Sequence, residues 1–108
     1  MDTGCVQVVV AVDKQQNADR IATALVDERL AACVQIVGPM TSTYRWQGEV
    51  ETAREFLLIA KTRTDRVPLL TDRVAELHSY AVPEITALPI TGGLDSYLDW
   101  IRSETGPA

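Results

Sequence analysis

Histidine and phenylalanine occur once each in this chain and cysteine twice, and no two of these residues stand at a metal-binding or redox spacing. Without a CxxC pair there is neither a zinc knuckle nor a thioredoxin-like motif. Two cysteines, Cys5 and Cys33, do not make a disulfide framework, so the reducing cytoplasm is the expected compartment. Long hydrophobic runs are also missing. The most continuous, Val6–Val12, is interrupted by Gln7 and is far too short to span a bilayer. No basic stretch precedes it and no convincing cleavage site follows, so it is not expected to be a signal peptide. Positive charge is scarce: ten Lys and Arg against fifteen Asp and Glu give a net charge of −5. That balance argues against nucleic acid and against an acidic membrane surface as partners. The segment after the first apolar run, Val12-Asp-Lys-Gln-Gln-Asn17, contains no glycine. It therefore cannot form the Gly-rich, Arg-bearing phosphate loop of an acylphosphatase. GxSxG, HExxH and Walker sequences are absent too, and a non-enzymatic protein is expected.

What is present is an ordinary globular composition, 46% hydrophobic and 23% charged over 108 residues. It suffices for one domain, 1–108, with one real core and no cofactor needed for folding. Val6–Val12 is β-branched and reads as a buried strand. Asp13 or Asn17 can cap a helix in which Ala18, Ile21, Ala22 and Leu25 recur at helical spacing up to about Leu30. Ala32–Val37 returns to strand character, Gly38-Pro39 implies a bulge or bend, and Thr41–Trp46 continues extended. Gln47-Gly48 is a turn, so Glu49–Lys61 is the return arm of a long hairpin. Thr64 or Asp65 is the expected cap of a second helix with Val67, Leu70, Val74 and Leu77 on its apolar stripe; Pro83 ends that segment. Ile85–Ile90 is a last strand, Gly92-Gly93 breaks it, and Leu94, Leu98 and Ile101 mark a short terminal helix. Ser103–Ala108 is expected to be a loose tail.

This order gives an α+β, ferredoxin-like split βαβ sandwich with long hairpin arms and a short C-terminal helix. Both main helices then cover one face of a four-stranded sheet, and the other face should be polar. It is not. Val6, Val8, Val10 and Val12 share one face of the first strand, but Val9 and Ala11 occupy the other. Phe56 and Leu58 likewise oppose Leu57 and Ile59. Both faces need dry cover, which further copies of the chain supply most simply; the alternative is that the terminal helix folds over the open face. The arms expose strand edges that pairing between subunits would cover.

Several segments resemble the CutA divalent-cation-tolerance family: Glu28-Arg-Leu-Ala-Ala-Cys-Val34, Tyr44-Arg-Trp46-Gln-Gly48, Lys61-Thr62, His78-Ser-Tyr80-Ala-Val-Pro-Glu-Ile85, Leu88-Pro-Ile90 and Tyr97-Leu-Asp-Trp100. They follow the family's order from Glu28 to Trp100. The resemblance implies a PII-like homotrimer, a role in tolerance to divalent cations, copper above all, and no catalytic reaction. It departs from the family at Ser79, where proline is common between the His and the Tyr, and at Val12, where some members carry cysteine.

The residues singled out as an intersubunit, ligand-binding cleft are Trp46, Lys61, His78, Tyr80, Glu84, Tyr97 and Trp100. His78 is also the candidate ligand for Cu2+ or another divalent cation, since imidazole suits copper(II). One imidazole per chain makes no metal cage, and a polar residue at a helix end is the plainer alternative. Cys33, inside an apolar strand, is a second, weaker metal candidate and is expected to be buried and inert; Cys5, near the terminus, is expected to be the more reactive thiol. The aromatic residues serve equally as a ligand cleft or as subunit packing. Glu49, Glu51 and Glu55 along one arm are expected to form a solvated face. Two functions follow: a metal-tolerance protein that binds copper(II) weakly, or a PII-like sensor or scaffold taking a small metabolite or a protein between subunits.

Overall fold

Strand β1, Cys5–Val12, takes the continuous β-branched run and lies inside a four-stranded sheet with β2 (Cys33–Trp46), β3 (Glu49–Arg63) and β4 (Ile85–Pro89), in the order β2-β3-β1-β4. The structure, a computed structural model, describes residues 2–106. Every pairing is antiparallel. Helices α1 (Gln15–Asp27), α2 (Val67–Leu77) and α3 (Asp95–Glu104) complete the split βαβ arrangement.

Side-chain alternation along β1 and β3 builds the core. Val6, Val8, Val10, Val12, Leu58 and Ala60 project to one face. There they meet Ala18, Ile21 and Leu25 of α1 and Leu70 and Val74 of α2, all fully buried. These helical residues recur at three- and four-residue spacing, which is why one stripe of each helix faces the sheet.

Helix ends differ from the sequence expectation. Neither Asp13 nor Asn17 caps α1: Lys14 stands at its boundary, and Asn17, inside the first turn, donates to the Asp13 carboxylate at 2.9 Å. α1 stops at Asp27 rather than Leu30, because Arg29 adopts φ +60°. The Leu30 amide then donates to the Leu25 carbonyl and the Arg29 amide to that of Val26, closing the helix with paired main-chain bonds. Thr64–Arg66 forms a 3-10 turn ahead of α2, so neither Thr64 nor Asp65 is the cap. α2 ends at Leu77, well before Pro83, and 78–84 is a loop.

Gly38-Pro39 stays within β2 and shifts the β2–β3 register between Val37 and Met40. Gly38 has φ +148°, and a Cβ there would meet Phe56 Cδ2 at 2.9 Å. Beyond this bulge the arms Thr41–Trp46 and Glu49–Arg54 pair residue by residue to the hairpin tip and run outside the core. The molecule is correspondingly elongated, 44 × 27 × 22 Å.

The tail is not loose up to Gly106. α3 continues to Glu104, and Thr105 and Gly106 are buried. Arg29 donates to the carbonyls of Ser103 and Gly106, both at 2.9 Å. Pro107 and Ala108 lie outside the described residues. α3 covers one end of the second sheet face, packing Leu98 and Ile101 on Cys5 and Ala32. The middle of that face is left open: Val9, Leu57 and Ile59 are half-buried, and Val37 and Leu88 are 52% and 51% exposed.

Candidate functional site

The hairpin arms, the end of β1 and the 78–84 loop enclose a cleft of about 710 Å³. Tyr44 and Trp46 reach it from β2, Glu51 and Glu55 from β3, and Tyr80 and Glu84 from the loop and its junction with β4. The cross-strand register places Tyr44 beside Glu51, which sets an aromatic ring next to a carboxylate.

His78 fixes the loop wall. Its Nε2 is 2.7 Å from the Ala11 carbonyl oxygen, and the Tyr80 amide donates to its Nδ1 at 3.1 Å. These bonds match a neutral imidazole with its proton on Nε2. The Tyr80 ring packs on the imidazole with centroids 4.7 Å apart, and the Tyr80 hydroxyl donates to Glu55 Oε2 at 2.7 Å. Burial, followed by the bond to the Glu55 carboxylate, pushes the Tyr80 phenol well above its ordinary range. Asp13 steadies the same loop from the β1–α1 turn. Burial works to raise its carboxyl, but hydrogen bonds with Asn17 and Ser79 outweigh it and hold the group below its ordinary value.

Among the described residues of one chain, three carboxylates line the cleft, and no lysine, arginine or histidine does. Glu55 is not on a solvated face: it is 7% exposed, on the same face of β3 as Leu57 and Ile59 and with its carboxylate accepting the Tyr80 hydroxyl of the 78–84 loop. Alternation alone does not single it out, since Glu49, Glu51 and Glu55 share one face of the strand pattern. Glu49 and Glu51 are exposed as expected. Among the described residues no group of three or more His, Cys, Asp or Glu side chains converges to chelate an ion. The donors here are oxygens spread around a space much larger than a bare cation. They suit weak electrostatic capture and do not form a preorganised metal centre. A metal at His78 has to displace the Tyr80 amide or the Ala11 carbonyl.

Trp46, Tyr80 and Glu84 thus meet in this cleft, with His78 behind its wall. Lys61, Tyr97 and Trp100 do not join them. Lys61 pairs across strands with Gln7 and Cys33 near the opposite end of the sheet, and its ammonium donates to the Gln35 side chain. Tyr97 and Trp100 stack on α3 with centroids 5.6 Å apart, both about two-fifths exposed. Burial, and then the nearby Cys33 thiol, raise the Tyr97 phenol. The thiols exchange the roles expected of them. Cys5 is 1% exposed beneath α3, with Sγ 3.9 Å from the Leu98 carbonyl, and Cys33 is half-buried. β1 begins at Cys5 itself, which places this thiol under the helix.

The sequence pattern of the family described as CutA1 divalent ion tolerance protein matches residues 6–104. The divalent-cation tolerance protein CutA of Thermus thermophilus is 56% identical over 99 residues, covering 92% of this chain and 96% of the relative. A solved structure of the Thermus protein superimposes with a TM-score of 0.93, covering 94% of this chain and 99% of that one. The chloroplastic CutA of Arabidopsis thaliana is 46% identical over 98 residues, 91% of this chain, which spans only 54% of that longer protein. The structure of CutA from Archaeoglobus fulgidus, described as a periplasmic divalent cation tolerance protein, has a TM-score of 0.92 at 38% identity over 94% of this chain and 99% of that one.

Proposed function

Because the chain belongs to the CutA1 divalent ion tolerance family, we propose that it serves divalent-cation tolerance as a cytoplasmic homotrimer that binds its ligand without turning it over. The observation that carries the reading is the lining of the cleft, three carboxylates and no basic side chain. Such a lining draws cations and repels anions. The hydroxyls of Ser42, Thr43 and Ser79 also line it, and the neighbouring His78 imidazole has both ring nitrogens engaged by main-chain groups rather than by a hydroxyl, so the geometry supports binding rather than nucleophilic chemistry. Two cysteines without a disulfide support the reducing compartment.

Copper(II) is the cation of choice, being held most tightly of the first-row divalent ions by nitrogen and oxygen donors. It enters at the exposed Glu51 and Glu84 carboxylates, and His78 supplies nitrogen only by giving up a main-chain bond. Affinity is therefore expected near the micromolar range and easily lost to chelators.

Calorimetric titration of copper(II) into the native protein, His78→Ala, Glu84→Gln and Cys33→Ala tests this. Loss in Glu84→Gln assigns the carboxylate site, and loss in His78→Ala assigns the imidazole. The pH profile separates them, since imidazole ligation in general fails below about pH 6.5 and carboxylate ligation below about 4.3. Unchanged binding in both variants removes the cleft as the site. No copper binding at all, with a thermal shift from an anionic metabolite, passes the protein to the PII-like sensor or scaffold reading.

A further inference from the structure

The open sheet face carries one buried charge of each sign, and neither is neutralised within the chain. Lys61 is 9% exposed, and its recorded partner is the neutral amide of Gln35. Glu55 is 7% exposed, and its recorded partner is the neutral hydroxyl of Tyr80. Neither forms an ion pair among the described residues, although Arg29, Arg63, Arg73 and Arg102 all do. Both side chains point to the same face of β3, six residues apart, so about 20 Å of strand separates them. No side chain closes that gap inside one molecule. Between them lie Leu57 and Ile59, flanked by Val9, Val37 and Leu88, the apolar surface that α3 leaves uncovered.

A charge buried among apolar groups is stable only when it is paired, and covering this face dries both ends further. The two ends are complementary in sign, and every copy carries both. We propose that this face is covered by a second copy of the chain, with Lys61 of one copy paired to Glu55 of the partner subunit. The arrangement is head-to-tail: each copy offers its cationic end to one neighbour and its acidic end to the other, and the contact is satisfied throughout only when the ring closes. The pairing rests on the homotrimer reading above and adds to it the contact that selects the register. It leaves Glu51 and Glu84 at the mouth of the cleft free for a cation.

Charge exchange tests it, with assembly read by sedimentation equilibrium and folding by circular dichroism. The wild type is expected to assemble at micromolar concentration. Lys61→Glu and Glu55→Lys singly are expected to weaken assembly at least ~30-fold, and the double variant, which restores opposite signs, to recover most of that loss. Should charge reversal prevent folding, the neutral variants Lys61→Met and Glu55→Gln decide through a double-mutant cycle: coupled losses support the pair, and additive losses overturn it. A wild-type monomer overturns the assembly together with the pair. A wild-type assembly that is indifferent to both single reversals, or a double variant no better than the singles, overturns the pair alone.

Discussion

Tyr80 is the side chain on which the cleft wall turns, because its hydroxyl, amide and ring are all engaged at once. Tyr80→Phe keeps the ring and removes the bond to Glu55. Chemical denaturation is expected to record a loss of about 1 kcal/mol, modest because the loop is partly open to water. The raised phenol has a consequence with a definite sign. Its folded value lies above its unfolded value, so the stability it contributes is fully present below the ordinary tyrosine pKa. That stability falls as the pH rises beyond about 10 and continues to fall until the folded phenol ionises. Alkaline absorbance titration is expected to find Tyr80 and Tyr97 ionising above the ordinary value in the native protein, Tyr80 last, and Tyr80→Phe is expected to abolish that last step. Asp13 acts in the opposite sense. Its carboxyl is depressed, so its contribution is present above the ordinary carboxylate range and disappears as acid protonates it.

Two elements turn on backbone positions that favour glycine, one occupied by Arg29 and the other by Gly38. Arg29 occupies a left-handed position that usually takes glycine, yet its guanidinium binds the Ser103 and Gly106 carbonyls and approaches Glu104 at 3.8 Å. Arg29→Ala is expected to cost about 1–2 kcal/mol through these lost bonds. It also loosens the C-terminal end of α3, whose packing shelters Cys5. Thiol labelling of the native protein should leave Cys5 unmodified; in Arg29→Ala its labelling should accelerate while the fold persists. Equal rates in the two proteins would mean that α3 is held by Leu98 and Ile101 alone. At the bulge, Gly38→Ala sets a Cβ against Phe56 and against the Glu55 carbonyl, 3.1 Å away, at a φ that side chains avoid. A loss of about 2 kcal/mol in denaturant unfolding is expected, with the arms displaced from the cleft.

For the whole molecule the arms are the deciding feature. They extend beyond the core and leave Trp46 43% exposed and Val50 63% exposed on a single chain. Exposed apolar residues on paired but uncovered strands call for a partner. Three chains of 11.9 kDa make a particle of about 36 kDa, the mass expected from sedimentation equilibrium. Trp46→Ala is expected to weaken that assembly by about 2–4 kcal/mol if the indole anchors the contact. With Trp100→Phe as background, Trp46 emission should shift red on dissociation. A monomer of 11.9 kDa with solvent-like Trp46 emission would contradict both expectations.

Alternation and helical spacing are local, and they placed all four strands and three helices from the sequence, because valine on a pleat and leucine at every third or fourth position leave few other ways to bury apolar surface. Local spacing also exposed the second apolar face, in Val9, Leu57 and Ile59. Cap positions were less legible: main-chain geometry at Arg29 and the 3-10 turn at Thr64–Arg66 ended or began helices where no side chain advertised it. The site was legible as a set of residues and illegible as an arrangement. Trp46, Tyr80 and Glu84 are distant in sequence and gather in one cleft because β2 and the 78–84 loop flank the same end of the sheet, whereas Lys61, Tyr97 and Trp100 lie toward the other end. Burial of Glu55, exposure of Cys33 over Cys5 and the two main-chain bonds of His78 depend on which strands adjoin. Strand neighbours in this sheet are chosen by long-range packing, so tertiary structure alone decided them.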